Sequence, residues 1–141
     1  MTELEVLVYM IPKILTATFC GFLIGLEREN HNKNAGLRTY IIVCVGAALF
    51  TASGFVLNTD IKVDPTRIIG QIITGIGFLG GGIIFKHDEK VNGVTSAAFI
   101  WLTSAIGVFI GLGYLFSSVL FTVGLLIMLI ILLKVENSFK N

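Results

Sequence analysis

Glu27, Arg28 and Glu29 stand side by side, and Arg38 follows after a short polar loop, ERENHNKNAGLR. Carboxylates and guanidinium groups this close to apolar chain do ionic chemistry. They pair with one another, anchor a helix at a membrane interface, or recognise an ion or a partner, because an unpaired charge near hydrocarbon is costly. Glu27 or Glu29 is expected to pair with Arg38, and Thr39 lies just beyond. A second constellation is Asp64, Arg67, Gln71 and Thr74. Asp64-Pro65 suits a helix start, with Asp64 as cap and Pro65 in the first turn. The alternative is an outward-facing charged site at Asp64 and Arg67 above Gln71 and Thr74. A nucleophile–base pair, a phosphate loop and an HExxH motif are all missing from the sequence. The reading is therefore of a non-enzyme with no cofactor. His31 and His87 sit in polar loops, and Cys20 and Cys44 in apolar stretches, so no metal site is expected.

Five apolar stretches must position these residues. Hydrophobic residues make up 55% of the 141 and charged residues 13%, and the mean hydropathy is +0.90. Soluble domains carry about 25% charged residues, so most of this surface faces lipid. A net charge of +1 gives no basic footprint for nucleic acid. A span needs about 20 apolar residues. The expected spans are Val6–Leu26, Thr39–Leu57, Ile68–Phe85, Val94–Leu112 and Tyr114–Leu133. Residues 1–141 read as one all-α polytopic membrane bundle. Pro12 and Lys13 interrupt the first span. Lys13 is expected to snorkel to the near interface, with Thr2–Tyr9 lying along that interface as the alternative. Gly111-Leu112-Gly113 demands a tight hairpin between the last two spans, and Asn92-Gly93 reads as a turn.

The third span carries Gly70, Gly75, Gly77, Gly80, Gly81 and Gly82. Each interior glycine costs about 1 kcal/mol relative to alanine in an aqueous helix. In a bilayer, small residues let backbones approach. Gly70, Thr74, Gly77 and Gly81 form one stripe, read as helix packing, with a narrow pore or a broken helix at Gly80-Gly81-Gly82 as alternatives. Gly46 and Ser53 make a second, weaker stripe in the second span.

Orientation follows from basic residues in the short connecting segments. Arg28, Lys33, Arg38, Lys86, Lys90, Lys134 and Lys140 share one side, against Lys62 and Arg67 on the other. The C-terminus is expected in the cytoplasm and the N-terminus outside. The acidic start, with Glu3 and Glu5 and no cation before Lys13, favours a retained first span.

These motifs together resemble the MgtC/SapB family of bacterial inner-membrane proteins. The likeness rests on GFLIGLERE at Gly21–Glu29, AGLRTY at Ala35–Tyr40, DPTRIIGQIITGIGFLGGGIIF at Asp64–Phe85 and VNGVTSAAFIWLTSAIGVFIGLGY at Val91–Tyr114. The family pattern has Ala where Gly81 stands and Leu-Thr-Thr where Val94-Thr95-Ser96 stand. The resemblance implies a multi-pass plasma-membrane protein linked to magnesium limitation and membrane energetics. It also implies a membrane partner, the ATP synthase in some members. With only KVENSFKN after Leu133, a short form with the membrane domain alone is expected. The expectation is a non-enzymatic regulator contacting lipid and another membrane protein, with a homodimer open. Its rivals are a small ion or solute transporter, with a pathway along the third span, and a toxin-like or stress-induced structural subunit.

Overall fold

The computed structural model describes residues 2–57, 64–87 and 90–139. Lys62 and Lys140, which enter the orientation argument, lie outside the described residues. Five helices run in chain order: α1 Glu3–Asn30, α2 Leu37–Leu57, α3 Pro65–Ile83, α4 Val94–Gly111 and α5 Leu115–Phe139. All five are long and apolar enough to cross a membrane. Between α3 and α4 lies a short antiparallel pair, β1 Phe85–His87 and β2 Lys90–Asn92, in register Phe85 with Asn92.

Local chemistry explains the boundaries. Thr2 and Glu5 form a reciprocal capping box at the start of α1. The helix then continues unbroken through Pro12, so Thr2–Tyr9 is not a separate interfacial segment. The third helix ends at Ile83, and Phe85 of the expected span belongs instead to β1. Gly80-Gly81-Gly82 stays helical, because helical hydrogen bonds are the backbone's best option in hydrocarbon.

The expected α4–α5 hairpin closes through a Schellman motif. Gly113 has φ +101, Tyr114 N–H donates to Phe109 O at 3.1 Å, and Gly113 N–H donates to Ile110 O at 2.9 Å. The orphan carbonyl of Gly111 takes its bond from the Lys13 ammonium at 2.8 Å. Lys13 is thus buried, with Nζ 3.6 Å from the Tyr9 ring centroid. It does not snorkel, because a helix C-terminus offers both an unpaired carbonyl and the negative end of the helix dipole.

The core is a seam of α1, α2 and α4. Ala17, Cys20, Ile24, Tyr40, Cys44, Ile100 and Ile110 are all essentially fully buried there. Glycines set its closeness. A Cβ on Gly21 would lie 2.7 Å from Ile41 Cα, and one on Gly25 2.8 Å from Leu37 Cα. On α4, a Cβ on Gly107 would collide with Cys44 O, and one on Gly111 would lie 2.7 Å from Ala48 O. Interior hydroxyls bond back to their own helix, as Thr103 does to Phe99 O and Thr122 to Ser118 O.

Only 6% of the α3 span is buried within the chain, against 56% for α4. A Cβ on Gly70, Gly75, Gly77, Gly81 or Gly82 would meet nothing within 4 Å, and one on Gly80 would make an ordinary 3.5 Å contact with Ala97. The expected packing stripe of Gly70, Gly77 and Gly81 therefore packs against no part of its own chain. The fourth helix takes that place, because its glycines sit where α2 crosses.

Candidate functional site: a polar end and an open glycine helix

The end of the bundle that gathers Arg28, Lys33, Arg38, Lys86 and Lys90 is built around the α1–α2 turn. Glu29 Oε2 accepts the Leu37 N–H at 2.8 Å, so a carboxylate satisfies an orphan donor at the start of α2. A Cβ on Gly36 would strike that same carboxylate, which is why glycine fits there. Lys33 N–H closes the turn onto Arg28 O at 3.1 Å.

The charges divide differently from the sequence expectation. Arg28 is buried, 2% exposed. Its guanidinium carbon lies 4.3 Å from the Phe99 ring centroid, and Nε is 3.3 Å from Glu27 Oε2. That pair is an electrostatic contact without hydrogen-bond alignment, because Arg28 Nε, Arg28 Nη1 and Glu27 Oε2 have no hydrogen-bond partner among the described residues. The other Glu27 oxygen meets His31 Nδ1 at 3.0 Å. Arg38 is exposed and has no ion pair among the described residues. The expected pairing of Glu27 or Glu29 with Arg38 is therefore absent. Glu27 is taken by its neighbour in sequence and by His31, the C-cap of its own helix, and Glu29 by the start of α2. Arg28 ties α1 to α4 through Phe99, reinforced nearby by Tyr40 OH donating to Ser96 O at 3.4 Å.

The second constellation lies at the other end of α3. Asp64 caps the helix, its Oδ1 accepting from Thr66 N–H at 2.9 Å and Thr66 Oγ1 at 2.7 Å. These hydrogen bonds from Thr66 hold the Asp64 carboxyl below the usual carboxylate range. Asp64 thus serves as the cap its sequence context suggests, and Arg67 is exposed and forms no ion pair with it. Thr74 Oγ1 donates to Gly70 O at 3.0 Å. Gln71 is exposed and its side chain has no hydrogen bond among the described residues.

Two clefts separate α2 from α3. One of about 640 Å³ is lined by Thr39, Val43, Phe78, Gly81, Gly82 and Ile100, among others. The other, about 490 Å³, is lined by Ile42, Gly46, Gln71, Gly75 and neighbouring apolar residues. Thr39 and Gln71 are the polar side chains on these walls; Glu27, Arg28, Glu29 and Arg38 are on neither. The expected site residues thus fall into two groups at opposite ends of the spans. No group of three His, Cys, Asp or Glu side chains among the described residues is placed to hold a metal ion.

Comparison with known proteins places this architecture. The MgtC family model matches residues 14–138. The chain belongs to the MgtC family. Among relatives of this MgtC-family chain is YhiD of Escherichia coli K12, provisionally named a magnesium transporter. It is 45% identical over 111 residues, covering 74% of this chain and 51% of YhiD. Protein MgtC of Brucella abortus strain 2308 is 44% identical over 107 residues, 76% of this chain and 44% of the relative. Protein MgtC of Salmonella typhimurium strain 14028s is 44% identical over 103 residues, 73% of this chain and 43% of the relative. The chain spans about half the length of the curated relatives it matches. No solved structure matches it.

Proposed function

We propose that this MgtC-family chain is a non-enzymatic regulator in the bacterial inner membrane that acts by binding another membrane protein. In this reading it serves under magnesium limitation and acts on membrane energetics. The observation that carries the reading is the character of the α2–α3 clefts. Their walls are apolar apart from Thr39 and Gln71, and no carboxylate lies on them. Mg²⁺ holds its waters tightly and takes oxygen ligands, usually carboxylates among them. A helix left uncovered by its own chain suits contact with a partner better than conduction.

The partner proposed by family resemblance is the ATP synthase. Arg38, exposed and without an ion pair among the described residues, is the side chain at the polar end best placed to meet it. The basic end is proposed to face the cytoplasm, so a reporter at the C-terminus should read cytoplasm. The rival reading is a small ion transporter with a path along α3. One specific observation favours it: Gln71 and Thr39 give both clefts a polar group. Purified protein in liposomes decides between them. The regulator gives no Mg²⁺ uptake, while expression in cells changes ATP level or membrane potential during magnesium starvation, and Arg38→Ala weakens that change. Saturable Mg²⁺ uptake by the purified chain would establish the transporter instead.

A further inference from the structure

We infer that the groove between α2 and α3 seats an acyl chain of an anionic phospholipid, whose negative headgroup is held at the basic end by Arg38 and Lys86. The groove comes first. Val43 and Leu79 line both clefts, so the two are continuous. From Thr39 to Phe50 the groove runs about 16 Å along α2. One leaflet contributes about 15 Å of hydrocarbon depth, so a single acyl chain matches that length. Ile42, Val43, Ile76, Leu79 and Ile100 give the chain an apolar wall. Gln71 lies about 18 Å along α3 from Ile83, deeper than the tail reaches.

The second observation is the hydroxyl at the mouth. Thr74, Thr103, Ser118 and Thr122 each donate to a carbonyl of their own helix. Thr39 does not, and its hydroxyl has no hydrogen bond among the described residues. It is the third residue of α2 and stands on the wall of the 640 Å³ cleft. At a helix end that is the level of a lipid's ester and phosphate oxygens, which accept from a hydroxyl.

The third is charge. Arg38 precedes Thr39, and Lys86 comes three residues after Ile83 on the opposite wall. Both are exposed, and neither has an ion pair among the described residues. The nearby described carboxylates are engaged, Glu27 with Arg28 and His31, and Glu29 with the Leu37 N–H. Asp88 and Glu89 lie outside the described residues. Cations at this level attract anionic headgroups. One molecule with a hydrocarbon tail, ester oxygens and a negative head matches groove, hydroxyl and cations together. A second copy of this chain does not, since a two-fold axis along the membrane normal sets Arg38 at the level of Arg38, cation against cation. Gly70, Thr74 and Gly77 line neither cleft, so the lipid leaves that face of α3 open to the proposed partner.

The lipid site does not rest on the regulator reading, because the purified chain tests it with no partner present. Phe78→Trp in a Trp101→Phe background puts the one tryptophan on the cleft wall. The chain is placed in phosphatidylcholine vesicles doped with phosphatidylglycerol carrying brominated acyl chains, with brominated phosphatidylcholine as reference. The brominated phosphatidylglycerol should quench the tryptophan at a mole fraction at least about tenfold lower than the reference. Arg38→Gln and Lys86→Gln should each weaken that preference by about fivefold. Lys134→Gln, an exposed cation at the C-terminal end of α5, should leave it unchanged. Gly82→Leu should fill the mouth and abolish the preference, and the chain still folds because a Cβ there meets nothing within 4 Å. Equal quenching by the two lipids means ordinary annular contact and overturns the inference. So does a preference indifferent to both Arg38→Gln and Lys86→Gln. Quenching by neither lipid means that protein covers the groove, and overturns it as well.

Discussion

Gly107 and Gly77 both lie inside apolar spanning helices, each with another glycine four residues further on. A side chain on Gly107 would run into the α2 backbone, while one on Gly77 would enter open space. Gly21 and Gly25 on α1 behave like Gly107 and Gly111 on α4. The spacing marks a helix face where another backbone is able to come close. It does not say whether that backbone belongs to the same chain. In the α1–α2–α4 seam the partner is internal and the glycines set the fold. On α3 the chain supplies no such backbone, and a Cβ on Gly70, Gly77 or Gly81 would enter open space.

The sharpest way to break this comparison is to fill both sets. Gly107→Leu and Gly21→Leu should destabilise the single chain by at least ~3 kcal/mol, since backbone must move to admit them. Thermal unfolding in detergent measures it. The counterpart, Gly77→Leu in the same detergent, should stay within about 0.5 kcal/mol of wild type. Equal losses at positions 107 and 77 would erase the distinction.

The two arginines of the polar end extend the comparison from glycine to charge. Arg28→Met removes a buried cation from a Glu27 carboxylate that is itself only 15% exposed. It should cost about 3 kcal/mol. Arg38→Met, at an exposed position without an ion pair among the described residues, should leave stability unchanged and act only on contact with partner or lipid. Gly113→Ala gives a smaller effect. The site has space, but φ +101 strains any side chain, so about 1 kcal/mol is expected, seen as a modest fall in melting temperature.

Much of this was legible before any coordinates. Hydropathy marks the five helices, Asp64-Pro65 marks the start of α3, and Gly111-Leu112-Gly113 marks the hairpin, because each rests on local chemistry. The glycine pairs at 21/25 and 107/111 carried a readable spacing, but the denser glycines of α3 outweighed them. What stayed hidden depends on distant partners. Arg28 and Arg38 look alike as interfacial cations, and only the position of Phe99 on α4 decides which is buried. The strand pair at Phe85–Asn92 is too short and too polar to announce itself by periodicity.

The bond from Lys13 to Gly111 O joins residues 98 positions apart. Lys13 leaves the ribosome early, and its acceptor is not synthesised until the fourth helix is almost complete. Until then the ammonium lacks that acceptor, while Gly21 and Gly25 already let α1 close against the α2 backbone. Completion of α4 and the turn after it supplies the carbonyl that joins the two helices. The last stretch of synthesis thereby finishes the placement of the first.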